Sequence, residues 1–593
     1  MYGVGDGGGT TSSPPIATIR WDASAYTPDA QTNIDAEMPS EPAPEIDDGK
    51  LRVVIVTSEL APYSKSGGLA DVCSKLSVAL SRMGHRVMTV SPAYKTYDGV
   101  ESTEVRKHFN MYGFETEVHY VHKFVQTDRT GADPSMGVDQ IFVQNQACFE
   151  RAGMYGDPGS HDYFDNLYRF AVLSWAALEA PLVLPAGNPF GEKVVFIAND
   201  WQTGLVPLLL TSHYKRWRVY GPARCLFVIH NMGYHGNFPN PLMYNYELEN
   251  PRDTPKWSLC DLGLKDEAYY DQYKFIFPPD KRGDNGDVDD GECFKTLLGG
   301  IQMADRVVTV SPSYREEICT DNGGWGLNHH VMGRSDRLDG ILNGIDTDEW
   351  NPETDPHIPH HYSVENQAGK AQCKAFLQKA LSLREEPDAP LVAFIGRLAE
   401  QKGIDVIEQS LHWLMGDKDK SQLVMMGSGQ PEYAEILTKA EAQYKGRICG
   451  YVGFSSEMEH LIMAGADILI MPSRYEPCGL PQMYAQRYGT VPIVHATGGL
   501  KDSVEQYQQG SDAPGADSKG QGWKFGNCDA NGLKWGLGEA INIFNNNPVE
   551  WINIRTRGMK QDFDWKGAAE KYVQLMEWAQ LDPPRHEPWP FNS

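Results

Sequence analysis

Glu476 lies in Ser473-Arg474-Tyr475-Glu476-Pro477-Cys478-Gly479-Leu480-Pro481. Before it, Ala466–Met471 is a short apolar run of strand length. After it, Leu480, Met483 and Tyr484 share one helical face, with Gly489 as a stop. The carboxylate therefore falls in a strand-to-helix loop, where Gly479 lets backbone approach a ligand and the next helix turns its first N–H groups to the same place. An open α/β sheet binds anionic ligands there, phosphate above all. Arg397 and Lys402 stand across a second such turn, Gly396-Arg397-Leu398 to Gln401-Lys402-Gly403. Arginine offers a bidentate fork and lysine a point charge, so both can reach one diphosphate. Lys65 opens a third, Lys65-Ser66-Gly67-Gly68-Leu69, whose spacing is neither a P-loop nor G-x-G-x-x-G. Cations fixed at a nucleotide leaving group stabilise the charge that gathers as its bond breaks, without a metal. Asn199-Asp200-Trp201 and His230-Asn231 end two more apolar runs. Singly, each has a plainer reading: a turn, a solvated charge, a satisfied structural histidine. Asp346-Thr347-Asp348 has the letters of a metal-binding D-x-D, but after Asn343-Gly344 it reads as capping in a turn.

These groups need strands that end at one rim. Leu51–Thr57 reads as a buried strand. Leu69, Val72, Leu76, Ala79, Leu80 and Met83 then make a helical stripe, Gly84 ends it, and Val87–Val90 is the next strand. This is the βαβ opening of a doubly wound unit. Strands follow at Val194–Ile197 and Cys225–Ile229, a helix at Phe294–Ala304 and a strand at Arg306–Val310. Gly236–Glu292 between them is long, polar and, over Asp280–Asp290, strongly charged, which suits an insertion or lid. A Pro/His-rich stretch within Asn351–Pro390 marks a domain junction, with a helix at Ala368–Leu381. A second unit then runs through Leu391–Ile395, Leu423–Met426, Ile448–Val452 with Gly453-Phe454, and Val491–Val494 before Thr497-Gly498-Gly499-Leu500. No internal sequence repeat accompanies the two units.

With 593 residues the chain exceeds one compact core, and two large domains are expected. A net charge of −26 argues against a nucleic-acid partner but not against a sugar nucleotide, which a local cation cluster can hold. Ten cysteines without a C-x-x-C pair read as reduced residues or at most one bridge, and no apolar run reaches the length of a membrane span. Residues 1–50 carry nine acidic against two basic residues amid Gly, Pro, Ser and Thr, so a disordered tail is expected rather than an intact, Arg-rich transit peptide.

In this order, Lys65–Leu69, His230-Asn231, Gly396–Gly403, Glu476–Leu480 and Thr497–Leu500 resemble the motifs of bacterial glycogen synthases and plant-type starch synthases. The likeness covers roughly residues 51–579 and the combination is specific. Tyr155–Tyr163, Asp165-Asn166, Arg169-Phe170, Ala176–Pro181 and Asn199–Trp201 are similar to the granule-bound branch. The resemblance implies a GT-B fold: two Rossmann-like, doubly wound domains facing across a cleft, with a tail at 1–50, an N-terminal starch synthase catalytic domain at 51–345, a C-terminal nucleotide-sugar domain at 346–565, and a segment at 566–593 returning to the first. It implies a retaining, metal-independent ADP-glucose (NDP-glucose)–starch glucosyltransferase acting on the 4-hydroxyl of a non-reducing α-1,4-glucan end. No cofactor is implied. The implied partners are ADP-glucose or ADP, amylose, amylopectin, malto-oligosaccharides and the starch granule, in plastid stroma or cytosol.

By motif, Lys65, Arg397 and Lys402 would hold the diphosphate, approached by Gly67, Gly68 and the backbone of Leu480 and Pro481. Asp71 would lie near the nucleotide, and Phe454 would stack on adenine. His230, Glu476, Cys478 and Gly479 would position glucose, with Asn231 and Asp200 close by. No covalent nucleophile is implied; attack would come on the front face, the leaving phosphate taking the acceptor's proton. The resemblance points first to granule-bound amylose synthesis; soluble starch or glycogen synthase is the near alternative, and a lapsed glucan-binding scaffold the distant one. Tyr484 stands where many retaining enzymes of this fold have a second Glu, which this family also commonly lacks. Three positions depart from the pattern. Ser66 stands for Thr, and Gln202 for the His usual in granule-bound enzymes. Pro481 stands for Thr or Ile and lacks an N–H, so one phosphate donor is missing.

Overall fold

The computed structural model describes residues 49–111, 114–157, 162–163, 165–185, 189–239, 274–276, 292–416, 420–510 and 518–586. The expected tail at 1–50, apart from Gly49 and Lys50, and most of the expected insertion at 236–292 lie outside them.

Two mainly parallel sheets account for nearly every strand. The first contains β1 (Arg52–Val56), β2 (Arg86–Pro92), β3 (Glu101–Met111), β4 (Phe114–Gln126), β5 (Gly137–Gln144), β6 (Val195–Asn199) and β7 (Arg224–Ile229). A small antiparallel sheet of β8 (Asn237–Pro239), β9 (Lys274–Ile276) and β10 (Glu292–Lys295) follows. The first sheet is completed by β11 (Arg306–Thr309) and β12 (Leu338–Gly340), in the order β12-β11-β7-β6-β1-β2-β5-β4-β3. The second holds β13 (Leu391–Ile395), β14 (Gln422–Gly427), β15 (Ile448–Val452), β16 (Ile468–Met471), β17 (Val491–His495) and β18 (Trp523–Phe525), ordered β15-β14-β13-β16-β17-β18. Among the parallel strands both orders start 3-2-1-4-5-6, the doubly wound pattern, so the two halves repeat in architecture where the sequence does not. The central strands are buried along their length, β6 and β13 throughout, which is why they read as continuous apolar runs.

Two features depart from expectation. β3 and β4 pair antiparallel and extend the first sheet beyond β5; β3 alternates exposed and half-buried residues, and so little apolar surface left no strand signal. Phe294 belongs to β10, paired with Phe238 of β8 and Lys274 of β9, so the helix expected from Phe294 begins at Thr296 and runs to Met303.

The last long helix, Trp565–Leu581, packs its buried face on the Gly68–Arg82 helix and on β7. Arg224 Nε donates to the Ala579 carbonyl at 2.8 Å and Arg306 Nη2 to Asp582 at 3.0 Å, so the end of this helix is fastened to the first sheet.

Candidate active site

Each sheet has a switch point where the strand order reverses, β1/β6 in the first and β13/β16 in the second, and crevices outside these strand ends take ligands. The loop after β1 carries Lys65, Gly67 and Gly68, and the turn after β6 carries Asp200. The turn after β13 carries Arg397 and Lys402, and the loop after β16 carries Glu476. The two sets face each other. A Cβ on Gly68 would lie 3.5 Å from Leu480 Cδ1, and one on Gly233 would lie 3.4 Å from the Tyr475 hydroxyl. Tyr475 also meets Trp325 edge-on, with centroids 5.6 Å apart.

Glu476 is 6% exposed, and its Oε2 accepts from Lys402 Nζ at 2.5 Å and from Ser473 Oγ at 2.9 Å. An ion pair this buried holds its geometry, because separating it strands a charge away from water. Gly479 sits at φ +69°, which favours glycine, and a Cβ there would lie 2.5 Å from Gln482 Oε1 and push that amide aside. Pro481 opens the following helix, Pro481–Arg487. Cys478 is buried, and burial pushes its thiol up to about 12, so it stays protonated and is no nucleophile at neutral pH. Arg397 is exposed at the strand-end face, with Nη2 3.3 Å from Gln401 Oε1. Phe454 is 58% exposed at the end of β15, open for stacking.

Across the gap, Lys65 is half exposed and pairs with Asp71 at 2.8 Å. Burial raises the Asp71 carboxyl, opposed by that lysine. Nothing stands within 4 Å of where a Cβ on Gly67 would be, which leaves room before the loop. Asp200 has φ 58° and ψ −176°, a conformation costing roughly 1–3 kcal/mol in a residue other than glycine. Its Oδ1 accepts from the N–H of His230 at 2.7 Å and of Asn231 at 3.3 Å. Burial pushes Asp200 up to about 7, against the pull of those two donors. Asn199 Nδ2 donates to the carbonyls of Val56 and Ile197, which leaves Oδ1 to accept from His230 Nε2 at 2.9 Å. His230 is thus a neutral Nε2–H tautomer, and loss of hydration holds it down at about 3. Asn231 Oδ1 accepts from Gly233 N at 2.9 Å, shaping its own turn.

The structure thus gathers the sequence-selected residues at the facing strand ends, and it adds others. Glu59, 3% exposed, accepts from Ser66 N and the Tyr155 hydroxyl, each at 2.5 Å, and from Ser66 Oγ, so it holds the lysine loop in place. A carboxylate directly after a buried strand was the only signal for it. Tyr484 does not line the site as a second acid would: it stacks on Trp350 at 3.7 Å. Asp346 Oδ1 accepts from the N–H of Asp348 and Glu349, the capping read from sequence. Asp346 also pairs with Lys75 at 2.7 Å, and Asp348 with Arg129. Among the described residues no cluster of three or more His, Cys, Asp or Glu could hold a metal ion, and no helix is long and apolar enough to cross a membrane.

Residues 52–332 match the starch synthase catalytic domain family and residues 379–521 the glycosyl transferases group 1 family. Soluble starch synthase 1 of Oryza sativa subsp. japonica, a chloroplastic/amyloplastic protein, is 41% identical over 539 residues, covering 90% of this chain and 79% of its own. Granule-bound starch synthase 2 of Solanum tuberosum is 39% identical over 561 residues, covering 92% and 66%. The catalytic domain of starch synthase IV from Arabidopsis thaliana, solved with ADP and acarbose, superposes with a TM-score of 0.72 at 30% identity, covering 90% of this chain and all of that one. The two facing sheets are accordingly a GT-B fold.

Proposed function

The chain belongs to the starch synthase family of glucosyltransferases, and on that premise we propose that it transfers glucose from ADP-glucose to the non-reducing 4-hydroxyl of an α-1,4-glucan, with retention and without a metal. The observation that carries the reading is the convergence of the buried Glu476–Lys402 pair and Arg397 with the facing Lys65 loop. Lys65, Arg397 and Lys402 balance the diphosphate as the bond from glucose C1 to the β-phosphate oxygen breaks. Glu476, His230, Cys478 and Gly479 hold the sugar, with Asp200 and Asn231 behind it. Phe454, Asp71 and the backbone of Gly67, Gly68 and Leu480 hold the nucleotide, and Pro481 lies beside it without an N–H to donate. The acceptor O4 bonds to C1 on the departing face, and its proton passes to the leaving phosphate. Glu476, engaged by Lys402, orients the site rather than attacking.

The soluble synthase reading is favoured over the granule-bound one. The relatives that set this preference are soluble starch synthases, and their chloroplastic/amyloplastic setting favours a plastid. Incubation with maltotriose and either ADP-glucose or UDP-glucose, with and without EDTA, tests the chemistry. Growth from ADP-glucose, a new α-anomeric proton signal and indifference to EDTA are expected. A β-anomeric product, abolition by EDTA or exclusive use of UDP-glucose would each overturn the matching part. Supplying glycogen and granules together separates the branches: label in soluble glycogen fits the soluble type, and label confined to granules contradicts it.

A further inference from the structure

The short helix Pro312–Glu317, which follows β11, touches both halves of the sugar site, although none of its residues lies in a motif. On its own side of the gap, the Tyr314 hydroxyl accepts from Met232 N at 2.8 Å, so the helix fixes the turn that continues from His230 and Asn231. Towards the other side, Ser311 Oγ donates to the Pro477 carbonyl at 2.6 Å, next to Glu476. Two carboxylates then reach across in opposite directions. Asp502, from the second half, accepts from Ser313 N at 2.7 Å and from Ser313 Oγ at 2.6 Å. Glu317, from the first half, accepts from Gly498 N at 2.8 Å and from Thr497 Oγ1 at 3.1 Å. These are charge-assisted bonds, stronger than neutral ones.

What Glu317 grips is the backing of the Glu476 loop. Gly499 N donates to the carbonyls of Glu476 at 3.0 Å and Pro477 at 3.1 Å. A Cβ on Gly498 would come within 2.1 Å of the Glu476 carbonyl, and one on Gly499 within 2.1 Å of the Cys478 carbonyl. The turn at 497–499 and the loop at 476–478 are therefore packed backbone against backbone. A shift of one is transmitted to the other.

We propose that Glu317 is a positioning residue of the transfer reaction, reciprocated by Asp502: through Gly498 it sets the Glu476 loop of one half against the His230 turn of the other. The proposal rests on the glucosyl-transfer reading for its kinetic consequence but not for its structural one, and two readouts separate them. With ADP-glucose and maltoheptaose, Glu317→Ala in the full chain should lose roughly 10- to 100-fold in kcat, the scale of a misplacement of about 1 Å. ADP affinity by calorimetry should fall far less than kcat, because Lys65, Arg397 and Phe454 lie outside the displaced loop. Glu317→Gln, which keeps an oxygen to accept from Gly498 N, should recover most of the lost kcat. Hydrogen–deuterium exchange of the same variants, read without substrate, should show faster exchange in the segment 497–499 of Glu317→Ala and none in β14. If wild type fails to use ADP-glucose, the functional reading falls and exchange still decides the positioning. A Glu317→Ala protein with wild-type kcat, with ADP affinity falling in step with kcat, or with unchanged exchange at 497–499 would overturn the proposal.

Discussion

Among single residues, Glu476 and Lys402 concentrate the consequences of substitution. Both are largely buried, and each neutralises the other. Glu476→Gln keeps the shape and one acceptor oxygen. It should cut transfer by roughly 10²- to 10³-fold, the range for removing one electrostatic group from a preorganised site, as steady-state rates of the folded variant will show. Arg397→Ala should weaken ADP binding by about 1.5–3 kcal/mol, the worth of a hydrogen bond to a charged group, checked by calorimetry. Asp200 and His230 give pH dependences of opposite sign. The folded Asp200 carboxyl titrates near 7 against an ordinary value of 3.8, so its contribution to stability declines as pH rises through about 4 to 7. Asp200→Asn, which keeps the acceptor oxygen, should raise stability at pH 8 relative to wild type in chemical denaturation. The folded His230 imidazole titrates near 3, so its contribution is full above 6.5 and is lost as pH falls towards 3. The charged and glycine-flanked positions were legible in sequence because they stand where apolar runs stop. Ser311, Glu317 and Asp502 were not, because their partners are set by the fold: Ser313 and Asp502 are separated by 189 positions.

Elements explain why the legible residues meet. Runs of Val, Ile and Leu as long as β1, β6, β13 and β16 are buried strands, and a doubly wound order brings β1 beside β6 and β13 beside β16. Their C-terminal ends then have to share a rim. Two of the elements that escaped reading do not alternate cleanly between apolar and polar residues. β3 is mostly polar with one exposed face, and β10 is a strand of four residues running directly into a helix. Turn chemistry is the most exacting feature at this scale. Gly479 has a positive φ, and a Cβ there would displace the buried Gln482 amide. Gly479→Ala should therefore cost more than the roughly 1 kcal/mol of an ordinary glycine-to-alanine conflict. Thermal unfolding will register that cost, and kcat should fall with the displaced Glu476 loop.

Across the whole molecule, the segment joining the two sheets is held at both ends. Lys75, on the Gly68–Arg82 helix, pairs with Asp346 at 2.7 Å and Glu349 at 3.1 Å, anchoring it to the first sheet. Trp350 is then stacked between His460 at 3.9 Å and Tyr484 at 3.7 Å, anchoring it to the second. His460 in turn donates to Asp355 at 2.8 Å. Trp350→Ala should destabilise the protein by about 3–5 kcal/mol, as for other buried tryptophans, measured by denaturant unfolding. It should do so without touching any group that binds donor or acceptor. The central claim is that glucosyl transfer happens where the strand ends of the two halves face each other. The most direct test is transfer of labelled glucose from ADP-glucose to maltoheptaose by wild type and Glu476→Gln, with ADP affinity of both measured alongside. Transfer by wild type, with ADP binding retained but transfer nearly abolished in the variant, is the predicted result. Near-normal transfer by the folded variant would place the chemistry elsewhere.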